Sequence, residues 1–472
     1  MRMQEKLCEG VVAPADAWAT RGPPPRGSAQ SPMVSADEAA SATGYPSWLV
    51  EGAVPRHSWD DPTVATLLAR NEPVVLTGCP LVARLQLDFE ALAELCGDHE
   101  MGVHTTPPHT RVFARHYGKG LGVGTIESMT FKLFAAKVAA EHAGDGKHRS
   151  ANYYLQAPLL WRDDDDDGDG ELRRAAIPAL QDELRRCIDW AWLDRACGLA
   201  GAPSVSGCQI WAGHGGGSTP THFDARDNFL CQLCGAKRVL LLSPAQSLIG
   251  LYPYPVGHVK DNFAIADLEQ PDLSTFPALA RARGVEATLE AGDVLYLPKY
   301  YWHLVRQLDG PHNLSLNCWV GGRGNEAFSA EAARWATEVS PPATAAPSEA
   351  TAAAEDARFE SWLLGDGAAA LVAFKAGRLA ETIAAKTCGG AERGGDFLSA
   401  MAAGADAEWA EGSKAARVAA RIRGQLSGLC GGIASHASAL LRALTRDGRL
   451  CPGLAPPVDG PVVSSETGEW GA

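Results

Sequence analysis

No stretch of this chain approaches the ~18 consecutive apolar residues of a membrane-spanning helix, so no membrane span is expected. It also lacks a basic stripe. Forty-two Lys and Arg stand against 56 Asp and Glu, a net charge of −14, so a phosphate backbone would be met against an electrostatic penalty. Nucleic acid is therefore not an expected partner. The twelve cysteines are scattered without tight spacing, and the opening segment MRMQEKLCEGVVAPADAW has no apolar core of the kind a secretory signal carries. Reduced thiols in an intracellular protein, cytoplasmic and/or nuclear, are the expectation. Glu5, Glu9, Asp16, Asp37 and Glu38 argue against a transit peptide. No repeat recurs at a solenoid period, and no zinc finger or chromatin-reading module is evident.

What is present can bury at least one large core: 472 residues, of which 46% are hydrophobic and 21% charged. One principal domain with appendages is expected. Residues 1–44, rich in Ala, Ser, Pro and Gly, read as a disordered leader. Residues 45–204 read as an α/β flank. In it PVVLTG (Pro73 to Gly78) is a strand, DFEALAELCG is a helix closed by Gly97, and Glu171 to Leu199 holds one or two helices. The aspartate run at 163–167 lacks the spaced ligands of a calcium loop and reads as a solvated insertion. From 205 to 322 short β-rich runs (SGCQIWA, NFLCQLC, KRVLLLSP, GDVLYLP, NLSLNCWV) alternate with Gly, Pro and Asp. Such texture suggests a sandwich or jelly roll, making the chain mainly β. Residues 323–355 read as a linker, 356–450 as a helical C-terminal region and 451–472 as a disordered tail. Val418, Ile422, Leu426, Leu429 and Ile433 form one helical stripe, with Leu440, Leu441 and Leu444 beyond it. Two such apolar faces need covering, either against the β-rich core of the same chain or against a second copy, and a homodimer through these helices is the expectation.

The chemistry concentrates in STPTHFDARDNF. Residues two apart on a strand share a face, so His222 and Asp224 can present an imidazole and a carboxylate to one point. His303 follows in GDVLYLPKYYWH. Two imidazoles and one carboxylate on one face of a cation leave positions open, the arrangement of non-haem Fe(II) oxygenases. Other candidates read more plainly. Cys231 and Cys234 are spaced C-x-x-C, but on a strand they face opposite sides and read as packed thiols. His214, His258 and His312 lie in Gly- or Pro-rich turns and read as surface residues; Trp190, Trp192 and Trp211 read as core.

From Thr219 to Trp319 the chain resembles the JmjC and cupin-like Fe(II)/2-oxoglutarate-dependent oxygenases, with the hypoxia-inducible factor-inhibiting asparaginyl hydroxylases as the nearest branch. The resemblance is carried by TPTHFDARDNF, the Gly and Lys of CGAKR, LYPYPV, QPD, GDVLYLPKYYWH and NLSLNCWVGG, in family order. It extends upstream through EPVVLTGCPLV and YYLQ. It implies a double-stranded β-helix core with an α/β N-terminal flank and C-terminal helices. It further implies iron ligands His222, Asp224 and His303. Lys237 would pair with the distal carboxylate of 2-oxoglutarate, with hydroxyls from Thr219 and Tyr154. Asn228 and Asn317 would stand around co-substrate and metal, and Trp319 would wall the pocket. The activity implied is hydroxylation of a protein side chain, with O2 consumed and 2-oxoglutarate converted to succinate. At the positions where the asparaginyl hydroxylases hold the target amide this chain has Asn262 and Phe263, so the target residue stays open. A JmjC demethylase or small-molecule hydroxylase, and a catalytically silent scaffold, are the alternatives.

Overall fold

The computed structural model describes residues 45–107, 125–143, 151–161, 173–174, 177–200, 205–224, 226–244, 246, 250–252, 262–274, 276–308, 310–320, 380, 383–384, 388, 391–429, 437–438 and 440–442. The expected leader, acidic loop, linker and tail lie outside these residues. The chain divides into two compact units, one chiefly of residues 50–242 and 284–324, the other chiefly of 243–283 and 325–468.

The first unit runs β1 (Val50–Ala53), β2 (Arg56–Ser58), α1 (Pro62–Ala69), β3 (Val74–Thr77), α2 (Phe89–Cys96), β4 (Glu100–Thr106), β5 (Thr125–Thr130) and α3 (Phe131–Ala143). It continues β6 (Asn152–Trp161), β7 (Arg173–Arg174), α4 (Pro178–Cys187), α5 (Trp190–Leu199), β8 (Val205–Gly213), β9 (Ser218–His222), β10 (Asp227–Cys234) and β11 (Lys237–Leu242). After residues 243–283 it resumes with β12 (Gly284–Leu289), β13 (Val294–Leu297), β14 (Trp302–Gln307) and β15 (Asn313–Val320). The strands make a five-stranded sheet, β1-β12-β11-β14-β9, and a ten-stranded sheet, β2-β3-β13-β10-β15-β8-β6-β4-β5, with β7 on β6. This is the jelly-roll core expected from the β-rich runs. The flanking strands join it directly: β3 pairs with β13, β1 with β12 and β6 with β8.

Local chemistry sets the element ends. Asp61, Asp88 and Asp189 cap α1, α2 and α5 by accepting from the backbone N–H of Thr63, Ala91 and Trp192. The Asp189 cap starts a second helix and splits the 171–199 segment in two. At the β10–β11 turn Gly235 has φ +71°, and a Cβ there would lie 2.4 Å from the His312 carbonyl oxygen. Only glycine meets both conditions.

Burial follows the period of two. Every residue of β15 is buried. Leu314, Leu316, Cys318 and Val320 join a large core with Cys208, Ile210, Phe229, Cys231 and helical residues such as Leu184 and Trp192. Alternate residues of β15, namely Ser315, Asn317 and Trp319, face the other way, toward the space between the sheets. There one part is oil, with Val75, Leu230, Val239, Leu241, Leu295 and Val305 in a second cluster, and the rest is polar. Cys231 belongs to the first face, where Cys208 and Cys318 place their sulfurs 3.8 Å apart. Cys234, beyond a register shift in β10, is only partly buried, so the C-x-x-C is a pair of separately packed thiols.

The second unit contains α6 (Ala391–Ala402) and α7 (Lys414–Leu429). The Arg423 guanidinium donates to both carboxylate oxygens of Asp406 at 2.6 Å, to the Met401 carbonyl and to Ser438 Oγ, both at 3.0 Å. This charge-assisted fork holds the Asp406 carboxyl below its ordinary range. Of the apolar stripe, Ile422 and Leu426 are buried within the single chain, as are Leu440 and Leu441. Val418 is partly buried; the Leu429 side chain, Ile433 and Leu444 lie outside what is described. Among the described residues no helix is long and apolar enough to cross a membrane.

Phe229 is fully buried between Trp192, edge-on with ring centroids 5.5 Å apart, and Tyr296 at 5.2 Å. Phe229→Ala should cost about 3–5 kcal/mol of stability, read as a lowered urea midpoint with unchanged slope.

Candidate metal centre

Strand β9 ends at His222, and Asp224 follows two residues on. Antiparallel pairing sets His303, second residue of β14, directly opposite His222, with ring centroids 4.1 Å apart. Each imidazole is oriented in the same way: Nδ1 of His222 lies 2.8 Å from the Pro220 carbonyl oxygen and Nδ1 of His303 lies 3.0 Å from that of Tyr301. A carbonyl only accepts, so each Nδ1 carries the proton and each Nε2 keeps its lone pair. His303 Nε2 is 3.4 Å from Asp224 Oδ2. One ligand atom from each of the three residues lies within 4.8 Å of the others, and among the described residues only this His/Cys/Asp/Glu group is so gathered.

The electrostatics suit a cation. Burial, and secondarily the neighbouring His222, hold the His303 imidazole well below its ordinary value, so it is neutral. Burial raises the Asp224 carboxyl, partly offset by His222 and Arg226. Charge concentrated on one partly buried carboxylate beside two neutral lone pairs is stabilised by a divalent ion, and the donor set fits the two-histidine, one-carboxylate face that leaves coordination positions open.

The turn between β13 and β14 aims His303. Tyr300 there adopts φ +66°, uncommon for a bulky residue, and donates its N–H to the Asp224 carbonyl at 2.8 Å. Buried Asp227, at the head of β10, accepts from the Lys299 N–H at 2.8 Å and from the Tyr296 hydroxyl at 3.3 Å. Both ligand-bearing segments are thus tied to one turn.

Lys237 stands at the far end of the same lumen. In the β11–β14 register Leu241 is opposite His303 and Lys237 is opposite Gln307, four residues or about 13 Å further on. Lys237 is 2% exposed, and its ammonium donates to Ser315 Oγ across the two sheets. No carboxylate pairs with it among the described residues, and burial pushes its pKa down to about 7. Tyr154 is hydrogen-bonded to Thr219, which brings those two expected residues together. Asn228 and Asn317 are buried with carbonyl oxygens that find no partner among the described residues, and the same holds for Trp319 Nε1. Seven of the eight residues expected at the site lie on strands β6, β9, β10, β11, β14 and β15, and Asp224 lies two residues beyond β9.

Two expectations need correction. His214 is not at the surface: it is 1% exposed, its Nδ1 donating to the Gly215 carbonyl at 2.8 Å and its Nε2 accepting from the Tyr153 N–H. Trp211 is not core. Its partner across the ladder is Ser315, its ring meets Tyr154 at 5.7 Å, and its indole N–H has no partner among the described residues. Gln209, Gln307 and Ser315 were not singled out at all; a glutamine inside an otherwise apolar strand such as SGCQIWA was the available signal. Asn262 and Phe263 lie in the other compact unit, and His258 and the acidic loop lie outside the described residues. His312 is partly buried and stacks on Phe89 at 4.2 Å.

A model of the cupin-like domain matches residues 62–320, more than half of the chain. This chain belongs to the cupin-like domain family. Its relatives include JmjC domain-containing protein D of Dictyostelium discoideum, 34% identical over 166 residues, which are 33% of this chain and 37% of that protein. Lysine-specific demethylase 8 of Danio rerio is 34% identical over 133 residues, 28% of this chain and 31% of the relative. The tRNA wybutosine-synthesizing protein 5 of Gallus gallus is 27% identical over 241 residues, 50% and 67% respectively. The match to protein D and to demethylase 8 spans about a third of their length.

The buried lysine gives this cupin-like domain a signature in the ligand-free protein. Its folded pKa, about 7, lies below the ordinary lysine value of 10.5, so between these the unfolded chain binds more protons and stability rises with pH. Subtracting the unfolding free energy of Lys237→Met from that of the wild type, from pH 6 to 10, should show a difference that grows in the wild type's favour above about pH 7. A flat difference would mean that the ammonium is solvated.

Proposed function

We propose that this domain is an Fe(II)- and 2-oxoglutarate-dependent dioxygenase that hydroxylates a protein side chain. One observation carries the reading: a metal-competent triad and a buried ammonium with no counter-ion among the described residues occupy opposite ends of one lumen. A ligand that chelates through one end and carries a carboxylate on the other answers both, and a five-carbon 2-oxo diacid has that form. His222, Asp224 and His303 would hold the iron. Lys237 would neutralise the distal carboxylate, with hydroxyl hydrogen bonds from Tyr154 and Thr219. Asn228 and Asn317 would donate near the metal-proximal end without adding charge, and Trp319 would wall the pocket. Bound iron with 2-oxoglutarate and O2 supplies oxidising power, succinate and carbon dioxide being the co-products. The chain's own part is to fix three ligands in one protonation state, exclude water and hold the co-substrate extended.

The names of the relatives support a second reading, in which the same chemistry removes a methyl group from nitrogen. Formaldehyde separates the two, since N-demethylation releases it and stable C-hydroxylation does not. The compartment in this reading is cytoplasmic or nuclear, with neither nucleic acid nor a membrane as partner. It includes a homodimer through the helices of 356–450, a reading that rests on the helical spacing in the sequence, since Ile422 and Leu426 are themselves covered within one chain.

With Fe(II), ascorbate and a peptide library, the wild type should release succinate and add one oxygen atom to one residue type, seen by mass spectrometry. His222→Ala and Asp224→Ala should each abolish succinate release, and Lys237→Ala should raise the half-saturating 2-oxoglutarate concentration at least about tenfold. Near-normal turnover in both ligand variants would defeat the assignment. In sedimentation the full chain should run as a dimer at micromolar concentration, and a monomer throughout would exclude the dimer.

A further inference from the structure

Gln307 ends β14, is 3% exposed, and its Oε1 has no hydrogen-bond partner among the described residues. Leaving a buried amide carbonyl unpaired costs free energy, so a native position of this kind calls for an explanation.

Its surroundings supply one. Gln307 is the direct cross-strand partner of Lys237, and directly opposed residues project to the same face with Cβ atoms about 5 Å apart. From the other sheet Gly213 is opposite Tyr154. A Cβ on Gly213 would lie 3.0 Å from Tyr154 Cδ2 and 3.1 Å from Gln307 Oε1, so ring and carboxamide share the space that glycine leaves open. Gln307 thus sits between the two residues that the proposed function assigns to the distal carboxylate. The ammonium already spends one N–H on Ser315, and Tyr154 is already hydrogen-bonded to Thr219. A carboxylate has about four lone-pair sites, more than these groups fill. A carboxamide can offer its NH2 to such a carboxylate and its carbonyl to a remaining N–H of the lysine.

We infer that Gln307 is a co-substrate-contacting residue, completing with Lys237 and Tyr154 a receptor for the distal carboxylate of a 2-oxo diacid. This rests on the 2-oxoglutarate reading and names a determinant of its length selectivity. With the diacid in place the Gln307 NH2 donates to its carboxylate and Oε1 accepts from the lysine.

The test is calorimetric titration of the full chain loaded with Mn(II), using 2-oxoglutarate and, separately, 2-oxobutyrate, which chelates alike but has no distal carboxylate. Gln307→Leu should weaken 2-oxoglutarate binding about tenfold or more, the range of a hydrogen bond to a charged group, and leave 2-oxobutyrate within about twofold of wild type. Gln307→Asn, which draws the amide back by one methylene, should give the same pattern and serves if leucine is not tolerated. Wild-type affinity for 2-oxoglutarate in both variants overturns the inference. So does equal loss for both ligands, which would mean that the substitutions act through the fold. If wild type does not prefer 2-oxoglutarate to 2-oxobutyrate and Lys237→Ala changes nothing, the functional reading fails, and the inference with it.

Discussion

The register of β15 between β10 and β8 is the constraint on which the rest of the structure depends. All eight of its residues are buried, yet Leu314, Leu316, Cys318 and Val320 meet the helix-covered core while Ser315, Asn317 and Trp319 face the lumen. A slip of one residue would drive amides into the core and leucines against Lys237, costing several buried polar groups at once. The ladder therefore does more than hold two sheets together. It decides that one face of a single strand is oil and the other is the floor of a site.

Around that floor the chain spends buried polarity sparingly and in one place. Both imidazoles donate to a carbonyl two residues back on their own segment, so their orientation depends on local backbone and not on distant side chains. The left-handed turn at Tyr300 and the Asp227 carboxylate fasten the two ligand-bearing segments to each other. By contrast, beside Lys237 the Gln307 Oε1 has no hydrogen-bond partner among the described residues, and the ammonium donates to the Ser315 hydroxyl.

The legible portion of this arrangement was what short range can encode. His222 and Asp224 declare themselves by a spacing of two, and the β-rich texture from 205 onward announces a jelly roll. Trp211, Gln307 and Ser315 were illegible because a lumen-facing side chain matters through what the opposite sheet brings to it, and such a contact joins residues as distant in sequence as Lys237 and Ser315, 78 positions apart. His214 failed for a related reason: Gly-rich surroundings look like a surface turn, whereas Tyr153 from another strand closes over it. The flanking strands behaved likewise, since nothing in PVVLTG says that its partner is β13.

That last pairing carries a consequence for biosynthesis. β1 lies parallel to β12 and β3 antiparallel to β13, each across more than two hundred residues of intervening chain. As the polypeptide leaves the ribosome, the earliest strands emerge long before the strands that complete their hydrogen bonding. High contact order of this kind slows folding and leaves unpaired strand edges waiting. Until residue 297 is synthesised the apolar strand Val74–Thr77 lacks its β13 partner and presents an unpaired edge.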